Sequence, residues 1–346
     1  MQLFSHDLGV DLGTSNILIY KNDEGIVTRE PSVVAVDKNT GKILQVGAAA
    51  RNMLGRTPGN VVAMHPLKEG VVSDHEMTVK MLQHLFRVTD NSRLFTPKPR
   101  VIISVPSGIT EIEERSVINA ALEAGARRVY LIEEPLAAAL GAGLDISQPV
   151  GHMVINIGGG TTNIAVLSMN GVANATSMKL AGNHFDEAIA RYIRRRHQVI
   201  IGQSTAEDIK IQVGAVRPRG NASITVKGRD FRTGLPRELT ITAAELLEHE
   251  VLLRPARQIA EEVASLLEDT SAELVGDLAE TGIVLTGGSS QLYGMDAMIQ
   301  ERTGIPCTIA DDPASCVAYG CGKSLAWITR MTEGPINLAR KRLMRG

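Results

Sequence analysis

The stretch Gly9-Val10-Asp11-Leu12-Gly13-Thr14-Ser15-Asn16-Ile17 decides the expected fold, because a longer copy of it occurs later in the chain. That copy is Val154-Ile155-Asn156-Ile157-Gly158-Gly159-Gly160-Thr161-Thr162-Asn163-Ile164, which has two more glycines but the same order of polar and apolar residues. Each copy indicates two β-strands joined by a Gly-rich turn. An internal repeat of this kind predicts a chain built from two homologous halves.

The segments around the repeat alternate between strand-like and helix-like patterns, which is typical of the α/β class. Residues 100–105 and 129–132 are short apolar runs that predict buried strands. Helical spacing predicts one amphipathic helix whose apolar face comprises Met77, Met81, Leu85 and Val88. Capping-box spacing, a Thr followed three residues later by an acid, predicts helix starts at Thr110, Thr205 and Thr242.

The bulk composition limits the class of protein. A length of 346 residues suggests roughly two domains. With 44% apolar but only 3% aromatic residues, the cores must consist of aliphatic side chains and Met. A net charge of −2 gives no indication of a nucleic-acid partner. The three cysteines form no CxxC pair, which favours a reducing cytoplasm over a disulfide scaffold.

Several other classes of site or segment are not indicated. The first seven residues lack the basic and apolar regions of a signal peptide. No stretch approaches the ~20 apolar residues that span a bilayer. The eight histidines show no metal-ligand spacing, so no transition-metal site is expected.

Both Gly-rich turns have the composition of a phosphate-binding site. A phosphate chain needs converging backbone N–H donors, which Gly exposes, and Thr and Ser hydroxyls add further donors. One such turn would usually be only a tight connection, but two similar turns between strands favour phosphate binding. The pattern is not a P-loop, since no Gly-Lys-Ser/Thr occurs in either turn. The candidate residues are Gly13, Thr14, Ser15 and Asn16 in the first turn, and Gly158, Gly159, Gly160, Thr161 and Thr162 in the second.

Two acids lie beside these turns in the sequence. Asp11 is expected to hold Mg²⁺ beside a triphosphate, because this cation prefers carboxylate oxygens; the alternative is an Asp that caps the turn. Glu134, at a predicted helix start, is expected to orient an attacking water; the alternative is an acid favoured there by the helix dipole. The adjacent Glu133 is expected to point elsewhere.

Two further groups could flank a nucleoside. Gly287-Gly288-Ser289 follows an apolar strand and would let a nucleoside pack against the main chain. Glu207 and Lys210 lie three residues apart on one predicted helix. They either contact the ribose or base or form a surface salt bridge with each other.

Longer motifs resemble the actin, Hsp70 and sugar-kinase superfamily and, within it, the bacterial MreB family. The superfamily motifs are Asp11-Leu12-Gly13-Thr14, Ile132-Glu133-Glu134-Pro135, Ile157-Gly158-Gly159-Gly160-Thr161-Thr162 and Leu285-Thr286-Gly287-Gly288. The motifs similar to MreB include Glu30-Pro31-Ser32-Val33-Val34-Ala35, Gly55-Arg56-Thr57-Pro58-Gly59-Asn60, Thr205-Ala206-Glu207-Asp208-Ile209-Lys210 and Thr233-Gly234-Leu235-Pro236. The resemblance extends from about Gly9 to Lys323.

The resemblance implies an actin-like α/β fold with four subdomains around a nucleotide cleft. The expected boundaries are 1–32, 66–142 and 316–346 for subdomain IA, 33–65 for IB, 143–182 and 245–315 for IIA, and 183–244 for IIB.

The resemblance also implies a function: ATP binding with Mg²⁺ and polymerisation of the chain with itself into paired protofilaments. Such filaments lie at the anionic inner face of the cell membrane, where they organise the cell-wall elongation machinery and rod shape. Paralogous MreB proteins are further candidate partners. Carried over by motif, the two turns hold the phosphates from opposite sides. Glu134 is the catalytic acid, and the nucleoside lies among Glu207, Lys210, Gly287, Gly288 and Ser289.

Three positions depart from the MreB pattern and indicate a divergent paralogue. Asn156 stands where MreB normally has Asp, Ser289 stands where it has a third Gly, and Asn183 replaces the Asp of a Gly-Asp pair. An amide cannot accept a proton, and Asn156 removes a negative charge from the surroundings of the metal. Phosphoryl transfer depends on positioning and electrostatics. We therefore place Asn156 with Glu134 as a catalytic position, and expect intact nucleotide binding with slow ATP hydrolysis.

A membrane contact is expected at Leu94 and Phe95, which lie between the basic residues Arg93 and Lys98. An exposed apolar pair with basic flanks can enter an anionic membrane, and MreB has an apolar loop at the matching place. The alternative is a loop whose Leu and Phe fold back onto the core. The basic tail, residues 336–346, is either a second lipid contact or a solvated end.

Two other functions of the superfamily remain open from the sequence. An Hsp70-like chaperone would need a substrate-binding domain after the nucleotide domain, and the chain ends soon after Lys323. A small-metabolite kinase would need a substrate acid in the cleft and would not polymerise.

Overall fold

The computed structural model describes residues 7–89 and 98–328. The expected membrane loop with Leu94 and Phe95, and the basic tail 336–346, lie outside the described residues.

The strands are short and occur throughout both halves of the chain. In chain order they are β1 Leu8–Leu12, β2 Asn16–Lys21, β3 Gly25–Pro31, β4 Val34–Asp37, β5 Ile43–Val46, β6 Val61–Met64, β7 Leu67–Lys68, β8 Val71–Val72, β9 Arg100–Val105, β10 Arg128–Glu133, β11 His152–Ile157, β12 Thr162–Ser168, β13 Gly171–Met178, β14 Val199–Ile200, β15 Ser223–Asp230, β16 Pro236–Thr242, β17 Ile283–Thr286 and β18 Cys307–Ile309.

The helices alternate with these strands. In chain order they are α1 Ala48–Arg51, α2 His75–Thr89, α3 Glu111–Glu123, α4 Glu134–Gly141, α5 Gly182–Arg196, α6 Gln203–Val213, α7 Ala243–Glu248, α8 Leu253–Glu268, α9 Ala272–Thr281, α10 Met295–Thr303 and α11 Cys316–Ile328. A 3₁₀ turn spans Gly288–Gln291. Of the helices in residues 7–89 and 98–328, none has both the length and the apolar character needed to cross a bilayer.

The two halves contain five-stranded sheets with the same topology, as the internal repeat predicts. The strand order is β10-β9-β1-β2-β3 in the first half and β18-β17-β11-β12-β13 in the second. In each sheet the central strand, β1 or β11, pairs antiparallel with the strand after its Gly-rich turn and parallel with the strand on its other side. The α/β class and the two related halves are therefore confirmed.

Two smaller three-stranded sheets accompany the large ones. One has the order β5-β4-β6 and lies within residues 33–65; the other has the order β14-β15-β16 and lies within residues 183–244. These segments are the ones expected to form subdomains IB and IIB. The subdomain boundaries themselves remain a prediction.

Helices α4 and α11 pack against each other between the two large sheets. A methyl group on Gly141 would lie 1.7 Å from the carbonyl oxygen of Cys316, and one on Gly320 would lie 1.8 Å from that of Ala137. Glycine at both positions lets the two backbones touch. Because the buried side chains around this contact come from both halves, it joins them into one core; they include Tyr130, Ile132, Val154 and Leu167.

The helix starts follow the sequence signals at two of three positions. The Thr110 side chain accepts from the backbone of Glu113 in a full capping box, and Thr242 caps α7. The start at Thr205 was wrong, because α6 begins two residues earlier after Gly202. Val88 was also wrong as a buried position, since it is 59% exposed.

Candidate functional site

A cavity of about 660 Å³ lies where the two Gly-rich turns face each other. This volume is typical of small-molecule sites, which measure roughly 300–1,000 Å³. Thr162 is the one predicted cleft residue that does not line the cavity, since its buried hydroxyl donates to the carbonyl of Leu180 at 2.6 Å. The predicted residues that the structure does bring together there are Asp11, Gly13, Thr14, Ser15, Asn16, Glu134, Asn156, Gly158, Gly159, Gly160, Thr161, Glu207, Lys210, Gly287, Gly288 and Ser289.

The two turns touch each other across the cleft. A methyl group on Gly159 would lie 1.9 Å from Ser15 Oγ, and one on Gly160 would lie 2.5 Å from Thr14 Oγ1. Glycine is therefore required for this close approach. Backbone and hydroxyl groups of both halves meet in one region, an arrangement that suits an anionic ligand.

Asp11 is placed in the cleft by β1, one residue before that strand ends. The hydroxyl of Ser104 donates to Asp11 Oδ1 at 3.3 Å. Burial raises the pKa of Asp11 to about 7, and the hydrogen bond from Ser104 opposes part of this rise. An acid with such a pKa is readily ionised by a nearby cation.

Glu134 is the first residue of α4, and its carboxyl is buried. Burial and, to a smaller extent, the charge of Asp11 raise the pKa of Glu134 to about 8, while a hydrogen bond from Asn156 lowers it. The neighbouring Glu133 turns away from this group and accepts a hydrogen bond from Ser107 Oγ at 2.8 Å. Only one of the two adjacent acids therefore lines the cavity.

Two amides donate to the same oxygen of Glu134. Asn163 Nδ2 lies 2.6 Å from Glu134 Oε2, and Asn156 Nδ2 lies 3.2 Å from it. The two asparagines are direct cross-strand partners on β11 and β12, so their side chains share one face of the sheet. The sequence reasoning missed Asn163 as a site residue. The available signal was its position opposite Asn156 in the predicted hairpin.

The other end of the cavity contains Glu207 and Lys210 of α6. Lys210 Nζ lies 2.8 Å from Asp186 Oδ1 and donates to the carbonyl of Gly182 at 3.1 Å. Glu207 forms an ion pair with Arg51, which belongs to the first half of the chain. Since each residue has another partner, the alternative of a surface salt bridge between Glu207 and Lys210 was wrong.

Ser289 fixes the loop 287–289 against the second Gly-rich turn. Its hydroxyl donates to the carbonyl of Gly158 at 2.7 Å. Gly287, with a φ of +83°, adopts a backbone conformation that favours glycine, and a methyl group there would lie 2.3 Å from the carbonyl oxygen of Ile157. The loop therefore packs closely on the turn.

The donors in the cleft fit a Mg²⁺ ion that is shared with phosphate. Mg²⁺ in proteins is usually held by one or two carboxylates together with waters and substrate phosphates. Asp11, half-buried at the end of β1, supplies a carboxyl of this kind. In the described part of the chain, no three His, Cys, Asp or Glu side chains form a metal cluster. A cation here would therefore depend on phosphate oxygens as further ligands.

Comparison with curated proteins finds relatives that are similar over almost the whole chain. A cell shape-determining protein Mbl of Bacillus cereus is 46% identical over 332 residues, which covers 96% of this chain and 99% of the relative. The cell shape-determining protein MreB of Escherichia coli is 46% identical over 331 residues, with 94% and 95% of the two chains covered.

Solved structures show the same fold. MreB5 of Spiroplasma citri bound to ADP superposes with a TM-score of 0.89 at 37% identity, covering 94% of this chain and 98% of that one. The same protein bound to AMPPNP gives 0.87 at 36% identity, covering 94% and 97%. A MamK double helical filament gives 0.77 at 23% identity, covering 94% and 99%, and supports the fold alone.

The family comparison covers nearly the whole chain. The family described as MreB/Mbl protein matches residues 5–333. Together with relatives at 46% identity over at least 94% of the chain, this match agrees with the actin-like fold and the repeated turns. The chain belongs to the MreB/Mbl family.

Proposed function

We propose that the cleft binds ATP with Mg²⁺. The observation that carries this proposal is the meeting of two equivalent Gly-rich turns, one from each half, on a cavity of about 660 Å³. The structures of MreB5 with AMPPNP and with ADP support it, because that protein shares the fold. Asp11 would hold Mg²⁺ together with the phosphates, and Glu134 would orient the attacking water. Glu207, Lys210 and the loop 287–289 would flank the nucleoside.

The proposed cellular role is that of an actin-like filament protein that determines cell shape. Membership of the MreB/Mbl family and relatives named as cell shape-determining proteins support this role. We propose that copies of the chain assemble into paired protofilaments on the inner membrane face, organise cell-wall synthesis and co-assemble with paralogues. Neither the Hsp70-like chaperone nor the small-metabolite kinase is favoured by the comparisons.

Filament assembly on a membrane is proposed to use Leu94 and Phe95. A single apolar pair binds weakly, but a filament repeats it many times and gains avidity. Replacing both residues with Ser is expected to abolish co-sedimentation with anionic liposomes while filaments still form in solution. The Leu44→Ser variant, which alters an exposed apolar residue elsewhere, serves as the control. Unchanged liposome binding by the double variant would contradict this role.

Slow hydrolysis is proposed because Asn156 places an amide where the metal and water require negative charge. Its Oδ1 accepts a hydrogen bond from Thr286 Oγ1 at 3.2 Å and its Nδ2 donates to Glu134, so both ends of the amide have a partner. The chain would then bind ATP tightly and release phosphate slowly.

The function is tested by three parallel measurements on the full chain. Binding of a fluorescent ATP analogue is measured with and without Mg²⁺, assembly by sedimentation and electron microscopy on anionic lipid, and turnover by phosphate release. We expect Mg²⁺-dependent binding, filaments and slow phosphate release. Absence of nucleotide binding would overturn the site, and absence of filaments under all conditions would overturn the cytoskeletal role. Phosphate release as fast as in MreB proteins that carry Asp at this position would overturn the proposed effect of Asn156.

A further inference from the structure

Asn163 is a fully buried polar residue on β12. Its Oδ1 accepts a hydrogen bond from the backbone N–H of Ser107 at 3.4 Å. A backbone N–H can only donate, so this contact fixes which end of the amide is which. The donor end, Nδ2, therefore faces Glu134 Oε2 at 2.6 Å.

Both asparagine amides act on one oxygen of Glu134 and leave the other oxygen to the cleft. Asn156 Nδ2 also donates to Oε2, at 3.2 Å. Within residues 7–89 and 98–328, no group donates a hydrogen bond to Oε1. Glu134 lines the cavity, so Oε1 is the oxygen that can accept a hydrogen bond from a molecule bound there.

The two amides oppose the effect of burial on Glu134. Burial favours the protonated carboxyl, whereas hydrogen bonds from N–H donors favour the ionised carboxylate. An ionised carboxylate accepts a hydrogen bond from an attacking water more strongly than a protonated carboxyl does, and it can take up the proton of that water. The contact from Asn163, at 2.6 Å, is shorter than the contact from Asn156, at 3.2 Å, so both amides hold Oε2 and Asn163 holds it more closely.

We propose that Asn163 is a positioning residue that acts through Glu134: its amide holds Oε2 and thereby presents Oε1 to the water that attacks the terminal phosphate. This inference rests on the proposed nucleotide function. It assigns to β12, the second strand of the second repeat, a role in positioning Glu134. The glycines and threonines of the turn before β12 do not have this role. The positioning of Glu134 does not require a charge on residue 156, because Asn156 and Asn163 both donate through uncharged amides.

The test removes the donor and follows both protonation and turnover in the full chain. The variants are Asn163→Ala and Asn163→Thr; Thr has nearly the volume of Asn and a hydroxyl that ends one bond short of Glu134. The control is Asn174→Ala, on β13, where the amide donates to the carbonyls of Leu266 and Asp269 outside the cleft. Protonation of Glu134 is read from its infrared carboxyl band without nucleotide, identified by its loss in Glu134→Gln.

We expect the apparent pKa of Glu134 to rise by about one unit in both variants, because a hydrogen bond to an ionised group is lost. The rate of phosphate release with Mg²⁺-ATP is measured against pH. The pH at which this rate falls to half on the acidic side of the profile should rise by a similar amount. Affinity for the fluorescent ATP analogue should stay unchanged. The Asn174→Ala control should leave the infrared titration and the pH profile where they are.

An infrared titration that is unshifted in both variants would overturn the proposal. So would a slower phosphate release whose pH limb does not move, because that result indicates loss of structure alone. If Asn163→Ala does not fold, Asn163→Thr decides the question. If the unchanged chain binds no nucleotide, the proposed function fails, whereas an infrared titration that shifts still shows that Asn163 holds the Glu134 carboxyl.

Discussion

Charge, more than shape, determines the chemistry of the side chains at the centre of the cleft. Asp11 and Glu134 are acids in the cleft whose pKa values are raised to about 7 and about 8. Near neutral pH each of them is therefore protonated in a part of the molecules. Asn156 and Asn163 add donors without adding charge. The group as a whole is therefore less negative than one in which Asp occupies position 156, and it depends less on a cation for its stability.

The first prediction at this scale concerns Asn156→Asp. The new carboxylate would lie about 3 Å from Glu134, so the variant should be less stable without Mg²⁺ because like charges repel at this distance. With Mg²⁺-ATP bound, the added charge should speed hydrolysis on the order of tenfold, which corresponds to about 1.4 kcal/mol of barrier. Urea unfolding with and without Mg²⁺, together with phosphate release, measures both effects. A rate that stays slow would show that Asn156 is not what limits turnover.

A second prediction concerns the pH dependence of stability without nucleotide. The folded pKa of Glu134 lies at about 8, above its ordinary value of 4.5. Stability from the protonated carboxyl is therefore present below about pH 4.5 and is lost as the pH rises through about 8. Relative to Glu134→Gln, the unchanged chain should become less stable over this range, as measured by urea unfolding at several pH values. A difference that does not vary with pH would contradict the raised pKa.

At the scale of elements, most strands and helix starts that carry local signals could be predicted from the sequence. The two hairpins and the caps at Thr110 and Thr242 depend on adjacent residues, so they appear in the sequence. Val88 was misplaced because helical spacing alone does not decide which of two adjacent faces is buried; α2 buries Leu85, Phe86 and Thr89 and leaves Val88 exposed. The strands β3 and β13 lack continuous apolar runs and form because neighbouring strands pair with them.

Within the site, sequence reasoning found the groups on the turns but not the contacts between distant segments. The pairing of Arg51 with Glu207 and of Asn163 with Glu134 joins elements that only the tertiary fold brings together. No spacing rule connects such residues. The site could thus be located from the sequence, while its hydrogen bonding could not.

A prediction at the element scale follows from the contact between the two turns. Gly159→Ala would place a methyl group 1.9 Å from Ser15 Oγ, so the turns must move apart. We expect a loss of affinity for the ATP analogue of roughly tenfold or more, equivalent to at least about 1.4 kcal/mol. Gly276→Ala is the matched control, because its methyl group would meet no atom within 4 Å and lies in α9. It should leave affinity unchanged and raise stability by about 1 kcal/mol.

If Gly159→Ala binds the ATP analogue as tightly as the unchanged chain, the two turns do not hold the phosphates between them. Circular dichroism establishes that both glycine variants are folded before affinities are compared.

At the scale of the whole molecule, polar contacts bridge the cleft at its two open sides. Arg51 of the first half pairs with Glu207 of the second, and Lys179 Nζ lies 3.1 Å from Glu69 Oε2. Ser15 Oγ donates to Asn183 Oδ1 at 3.4 Å near the turns. These contacts join the two halves around the cavity, and we expect the proposed nucleotide to break some of them when it enters or leaves.

Arg51→Ala is therefore expected to speed nucleotide release. The pair is partly exposed, so its contribution is about 0.2–1 kcal/mol, which corresponds to a release faster by a factor of roughly 1.4 to 5. Stopped-flow displacement of a fluorescent ADP analogue measures the rate. Arg115→Ala serves as the control, because Arg115 pairs with Glu111 on its own helix. Equal release rates for both variants would show that the Arg51 pair does not restrain the cleft.

The glycine contact between α4 and α11 has a mechanical consequence. Backbone lies directly against backbone at Gly141 and Gly320, without a side chain that could bend, so the joint is stiff and serves as a fulcrum. The Arg51–Glu207 pair joins the two halves away from this joint. We expect a rotation about the fulcrum to displace this pair more than it displaces the joint itself. In a filament, neighbouring subunits could sense the nucleotide state through that amplified movement rather than through the cleft itself.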